Sequence, residues 1–135
     1  MNHVEQIFYS RLEEFAGLSG LVKARIFSIQ APQDILKPFI TYQVISRDRV
    51  KKLTGPSFVS QSRFQVDCYS TTFFQAREIA SQVRLALDGW RDTNADLSIK
   101  GSSLINETDF DVTDTDPKLY RVLMEFMITH EEASS

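Results

Sequence analysis

The 135-residue chain has one cysteine, Cys68, so no internal disulfide can form. A disulfide-stapled scaffold is excluded, and a reducing compartment is the expected setting. No apolar run approaches the roughly 20 residues that a membrane-spanning helix needs, so no membrane association is expected. The opening MNHVEQIFYSRLEEF alternates apolar with charged residues and lacks the continuous apolar stretch of a secretion signal. Synthesis in the cytoplasm is the expectation. A Gly-rich phosphate loop, HExxH, GxSxG and CxxC are all missing, and with them the usual reasons to expect an enzyme or a cofactor. The basic excess of a dedicated nucleic-acid binder is missing as well: 15 Lys and Arg stand against 18 Asp and Glu, a formal net charge of −3.

What is present is globular. The chain is 42% hydrophobic and 24% charged, enough apolar material for one core and too much for a disordered chain. Residues 1–130 are expected to form a single domain, with 131–135 a flexible polar tail.

Hydrophobic spacing divides the chain into elements. Val4, Ile7, Phe8, Leu12 and Phe15 recur at helical intervals, and Gly17 and Gly20 are expected to stop that helix. A short strand is expected over 22–29, then a linker with Pro32 and Pro38 at its ends, then a strand over 39–45. Residues 46–58 read as a basic loop. Residues 62–69 alternate: Phe64, Val66 and Cys68 point one way, Arg63, Gln65 and Asp67 the other, as in a half-buried antiparallel strand. A second helix starts at Thr72 and Gln75, spaced as a capping box, buries Ala76, Ile79, Ala80, Val83 and Leu87, and ends at Asp88-Gly89. The last third reads as a hairpin, with arms over 103–112 and 119–129 and a turn over 113–118. In its final arm Leu123 and Met127 fall on the wet side, a hint that another subunit partly covers that side. The fold class is therefore α+β, a mostly antiparallel sheet with two helices packed on one face.

The search for chemistry is brief. His3 and His130 lie at opposite ends of the chain and are expected at the surface. Cys68, on the apolar side of its strand, is expected in the core. Asp109, Asp111, Asp114 and Asp116 follow Glu107, but counting from Asp109 the glycine and the distal Glu of a calcium loop are replaced by Asp114 and Tyr120. A solvated acidic turn or a protein-binding patch is expected there, without metal. Arg47, Arg49, Lys51 and Lys52 make a basic stretch that would meet either DNA phosphates or the acidic stretch of another copy. The second contact is head-to-tail and closes into a ring when the rotation allows.

Several segments together resemble the tail completion, or tail terminator, proteins of long-tailed phages and prophages. These are Phe39–Ser46, the basic stretch with Leu53-Thr54-Gly55, Arg63–Tyr69 running into the helix with Gln75–Ala80, and Tyr120–Phe126. The resemblance implies a non-catalytic subunit without cofactor that joins into a ring, a hexamer when assembled. Such a ring ends the tail tube, stops its growth and docks to the head completion or connector protein. The partners implied are copies of itself, the tail tube protein, the head-side protein and, weakly, DNA in the lumen. The setting implied is the virion tail, after assembly in the host cytoplasm. By the same resemblance Arg63, Gln65 and Asp67 are sheet-face or subunit-contact positions, and Glu125 stands where an Asp is expected. The alternative is a small nucleic-acid-contacting or protein-binding module using the 47–52 stretch.

Overall fold

A computed structural model describes residues 4–49, 59–93, 97–112 and 118–132. In chain order the elements are α1 (Val4–Glu14), α2 (Ala16–Val22), β1 (Ile26–Ser28), β2 (Phe39–Arg49), β3 (Val59–Ser70), α3 (Phe73–Leu87), β4 (Asp92–Thr93), β5 (Leu97–Val112) and β6 (Leu119–Glu132). The strands form one sheet in the order β1-β2-β3-β6-β5-β4. Neighbours run antiparallel except β1 and β2, which are parallel. The class is α+β and mostly antiparallel, as the sequence implies.

The helix count differs: there are three described helices, where the spacing predicts two. Phe15, with φ −74° and ψ 116°, breaks the first helix, and a second begins at Ala16. Leu18 and Val22, four residues apart and fully buried, anchor that second helix, so Val22 ends a helix and does not begin a strand. Gly17 and Gly20 lie within α2 and are not stops. Gly17 allows a close approach instead: a Cβ there would sit 1.9 Å from Gln82 Oε1 on α3.

The core is built on alternate strand positions. Cys68 lies between Ile40 and Val122, Val66 between Tyr42 and Met124, and Phe64 between Val44 and Phe126. These residues join Phe8, Leu12, Leu18, Val22, Ile79, Val83 and Leu87 of the helices in one cluster. Phe8 stacks on Phe64 with ring centroids 4.1 Å apart. Burying each such side chain stabilises the fold by roughly 1.5–3 kcal/mol.

The ends of α3 show how it is held. Thr72 Oγ1 accepts the Gln75 N–H at 3.2 Å, which is half of the expected capping box. The other half is rerouted: the Gln75 side chain accepts from Ser70 Oγ at 2.5 Å, and Ser70 Oγ accepts the Thr72 N–H at 3.4 Å. After Asp88 the chain turns at Gly89, whose φ of 80° suits glycine. The Gly89 N–H then donates to the Ser102 carbonyl of β5 at 2.7 Å.

Two expectations about the C-terminal end are corrected. His130 is buried at 6% exposure, with Nε2 2.8 Å from Ser62 Oγ. β6 runs to Glu132, and its period of two carries His130 to the core side. The same strand takes in residues 131 and 132, which the sequence reading put in a flexible tail. His3 lies outside the described residues.

Candidate functional site

The basic stretch begins on a strand. Arg47 and Arg49 belong to β2, which runs past the predicted loop start at Ser46 because β3 stays paired with it: Arg47 faces Ser62 and Arg49 faces Ser60. A register shift between Val44 and Ser46 turns Arg47 to the helix side of the sheet. There its Nη2 donates to Glu5 of α1 at 2.6 Å, with both side chains largely in water. Lys51 and Lys52 lie outside the described residues.

The acidic stretch is also strand where it is described. Asp109 and Asp111 sit in β5, paired with Val122 and Tyr120. Arg77 of α3 reaches across to this strand, 2.9 Å from Asp109 and 3.5 Å from Glu107. Asp111 holds Lys118 at 3.0 Å, and that hydrogen bond raises the Lys118 pKa. Asp114 and Asp116 lie outside the described residues. Strand-borne carboxylates already answered by cations are poor chelators, and among the described residues no group of His, Cys, Asp and Glu is placed to hold a metal ion.

The structure therefore does not bring the described basic and acidic residues together; it separates them. β3 runs antiparallel to β6, so Ser60, the partner of Arg49, faces His130, while Asp111 faces Tyr120. Those positions are ten residue steps apart along β6, roughly 33 Å of strand. One end of the sheet carries Arg47 and Arg49; the opposite end carries Asp109 and Asp111.

A second charged group occupies the strand positions that alternate with the core. Arg63 Nε donates to Glu125 at 2.8 Å, and its Nη2 bonds the same carboxylate oxygen. Asp67 accepts from Gln65 at 2.9 Å and from Arg121 at 2.8 Å. The Arg121 guanidinium also lies over the Phe110 ring, 5.1 Å from its centroid. Asp67 is only 5% exposed, buried among neighbouring side chains of its own face. Arg121 and Phe110 as members of this group are not evident from the sequence alone. The legible signal was opposite charges at alternating positions of two strands, but only the register shows which ones meet.

Among the described residues nothing resembles a reactive centre. Burial pushes the Cys68 thiol well above its ordinary range, with Asp67 and Glu107 adding to the effect, so the nucleophilic thiolate is suppressed. Among the described residues no helix is long and apolar enough to cross a membrane. Leu123 and Met127, on the same face as the Arg63–Glu125 pair, are half-buried.

Comparison with known proteins adds two findings. A family model described as "Tail completion protein gp17" matches residues 7–131. In structure the chain is similar to one from the "Virion of native gene transfer agent (GTA) particle", with a TM-score of 0.72 and 16% sequence identity over 92% of this chain and 91% of that one. At that identity the likeness speaks to the fold. No curated protein matches the chain in sequence.

Proposed function

Because the chain belongs to the tail completion protein gp17 family, which is structural and not enzymatic, we propose that it closes the tail tube of a long-tailed phage or prophage as a ring. Six copies join at the end of the tube, stop further addition of tube protein and present the surface on which the head completion or connector protein docks. The working site is the virion tail, reached by assembly in the host cytoplasm.

The observation that supports this reading best is the polarity of the sheet. The stretch 47–52 holds four cations against one carboxylate, and 107–118 holds five carboxylates against one cation. Their described residues, Arg47 with Arg49 and Asp109 with Asp111, lie at opposite ends of the strands, which keeps them apart within one copy. A second copy can bring such residues together, and a contact between unlike patches is heterologous, the type that generates rings. Arg47, Arg49, Lys51 and Lys52 would then face Asp109, Asp111, Asp114 and Asp116 of the next copy.

Electron microscopy of particles made without this protein tests the function. Tails of irregular or excessive length, unattached to heads, are the expected outcome; tails of uniform length carrying heads would refute it. Charge reversal tests the surface. Lys51→Glu with Lys52→Glu should weaken assembly, and adding Asp114→Lys with Asp116→Lys should restore part of it. A combined variant no better than either alone would show that these stretches do not pair.

A further inference from the structure

The sheet has two long strands whose outer edges are covered only in part. β1 pairs with β2 as far as Tyr42, whose carbonyl takes the last of these bonds from the Ile29 N–H at 2.8 Å. On the opposite side β4 pairs with Ser98 and Ile99 of β5. The turn after α3 covers a little more: the Ser102 carbonyl accepts the Gly89 N–H, and the Leu104 N–H donates to Asp88 Oδ1 at 3.2 Å. Beyond these points β2 continues over residues 43–49 and β5 over 105–111. Among the described residues, nothing but the inner neighbour strand bonds to the backbone of either stretch. An open edge presents a row of unpaired N–H and C=O groups, a template for another strand. Each stretch also carries a β-bulge with an isoleucine in it, Ile45 at 46% exposure and Ile105 at 44%. Bulges of this kind bend and twist a strand and are frequent at the rims of barrels.

The geometry of the two edges indicates what fills them. They lie on opposite sides of one sheet, with β3 and β6 between, so they cannot meet within one copy. Each neighbour from β2 across to β5 is antiparallel, so β2 and β5 run in opposite directions. Copies related by rotation about a common axis would therefore set β5 of one against β2 of the next in antiparallel sense. The lengths agree: 43–49 and 105–111 are the same length. The positions agree as well. The open part of β2 faces residues 60–65 of β3, and the open part of β5 lies level with 65–70. This is an offset of about five residues, roughly 17 Å along the strands. From β2 through β3, β6 and β5 to the next β2 there are four strand spacings, roughly 19 Å. Successive copies stay level around the axis if the strands tilt from it by about 40°, inside the roughly 35–45° at which sheets close into barrels. The offset that looks like a mismatch between two flat sheets is the stagger that a closed one requires.

We propose that the open edge of β5 in one copy pairs with the open edge of β2 in the next, joining the sheets of the ring through backbone hydrogen bonds. β1 and the Asp88–Leu104 bond act as stops that set the register, with Gln43 opposite Asp111 and Arg49 opposite Ile105. This rests on the ring reading and adds the strands that join one copy to the next.

Disulfide trapping in the full chain tests it. In this register Ser46 lies opposite Thr108. Both are exposed, and both are on the polar face, beside Arg63 and Leu123 respectively. Directly opposed strand residues are within reach of a disulfide. The protein carrying Ser46→Cys and Thr108→Cys, assembled on its own tail tubes and oxidised, should give a ladder of covalent oligomers on non-reducing gels. Each single variant should give none, since Cys68 is fully buried. Hydrogen exchange of the unsubstituted protein should slow in both 43–49 and 105–111 on assembly. Rings visible by electron microscopy with neither stretch protected, or only one, would overturn the edge pairing and leave the ring standing. Protection of both without a ladder would mean that other chains supply the strands, and would overturn it too. So would covalent dimers from Thr108→Cys alone, because β5 would then meet β5. Tubes that acquire no ring from the unsubstituted protein would refute the ring reading itself, and this inference with it.

Discussion

On one side of β3 and β6, Phe64, Val66, Cys68, Val122, Met124 and Phe126 are fully buried against the helices. On the other, one residue along each strand, Arg63, Gln65, Asp67, Arg121 and Glu125 bond to one another. Both sets belong to the same strands and the same register. The first set is held by apolar burial, which is non-directional and sensitive to volume. The second is held by directional, charge-assisted bonds at the boundary with water. The stability of the fold therefore rests mainly on the first set. The second orders a polar face without closing it, which leaves that face able to meet another protein.

The strongest way to break this contrast is to empty the core side. Phe64→Ala removes a fully buried ring that stacks on Phe8 and should cost about 3–5 kcal/mol, read as the shift in a urea unfolding midpoint. A loss below about 1 kcal/mol would mean that the helices do not depend on this side of the sheet.

Asp67→Ala probes the polar face at its most buried point. It removes the acceptor shared by Gln65 and Arg121 and leaves the Arg121 guanidinium, with 28% side-chain exposure, without that carboxylate. The expected cost is about 1–3 kcal/mol, and Asp67→Asn should recover part of it. If Asp67→Ala costs as much as Phe64→Ala, the two faces are not different in kind.

The next effect appears only in alkali. Burial raises the pKa of the Cys68 thiol above its ordinary 9.0, and of the Tyr42 and Tyr69 phenols above 10.0. Each group holds its proton more tightly in the folded chain. The unfolded chain loses protons first, so stability is full below about pH 9 and falls as pH rises, by up to about 1.4 kcal/mol per pH unit for each group. Cys68→Ala should nearly abolish the fall between pH 9 and 10 and make that above pH 10 shallower, leaving there only the part due to Tyr42 and Tyr69, measured by unfolding midpoints across the series. An unchanged slope between pH 9 and 10 would place Cys68 outside the core.

The contrast was largely legible before the structure, because period two in residues 62–69 and 119–129 sorts the residues onto faces without any fold. The α+β class and α3 were legible for the same reason: their spacing is long and regular. Three features were not. The break at Phe15 lies in backbone angles, and glycines at 17 and 20 look like a stop unless the packing of α2 against α3 is known. His130 looked terminal because the length of β6 depends on pairing with β3. The basic stretch reads as a loop; only the register puts Arg47 and Arg49 on a strand, with Arg49 about 33 Å along the sheet from Asp111.

The smallest effects compare ion pairs in the two settings. A double-mutant cycle on Arg63 and Glu125 tests a pair whose carboxylate has 15% side-chain exposure; one on Arg47 and Glu5 tests a pair at 58% and 39%. Water screens the second pair more and lets both side chains wander, so its coupling should be about 0.2–0.5 kcal/mol, against nearer 1 kcal/mol for the first. Raising salt should erase the Arg47–Glu5 coupling first, because screening acts most on exposed charges. Equal couplings with equal salt dependence would mean that the sheet face of Arg63 is as open to water as the helix surface of Glu5. A larger coupling for Arg63–Glu125 would instead show that the polar face is ordered in the isolated chain, so that any protein bound there would cost it less conformational entropy.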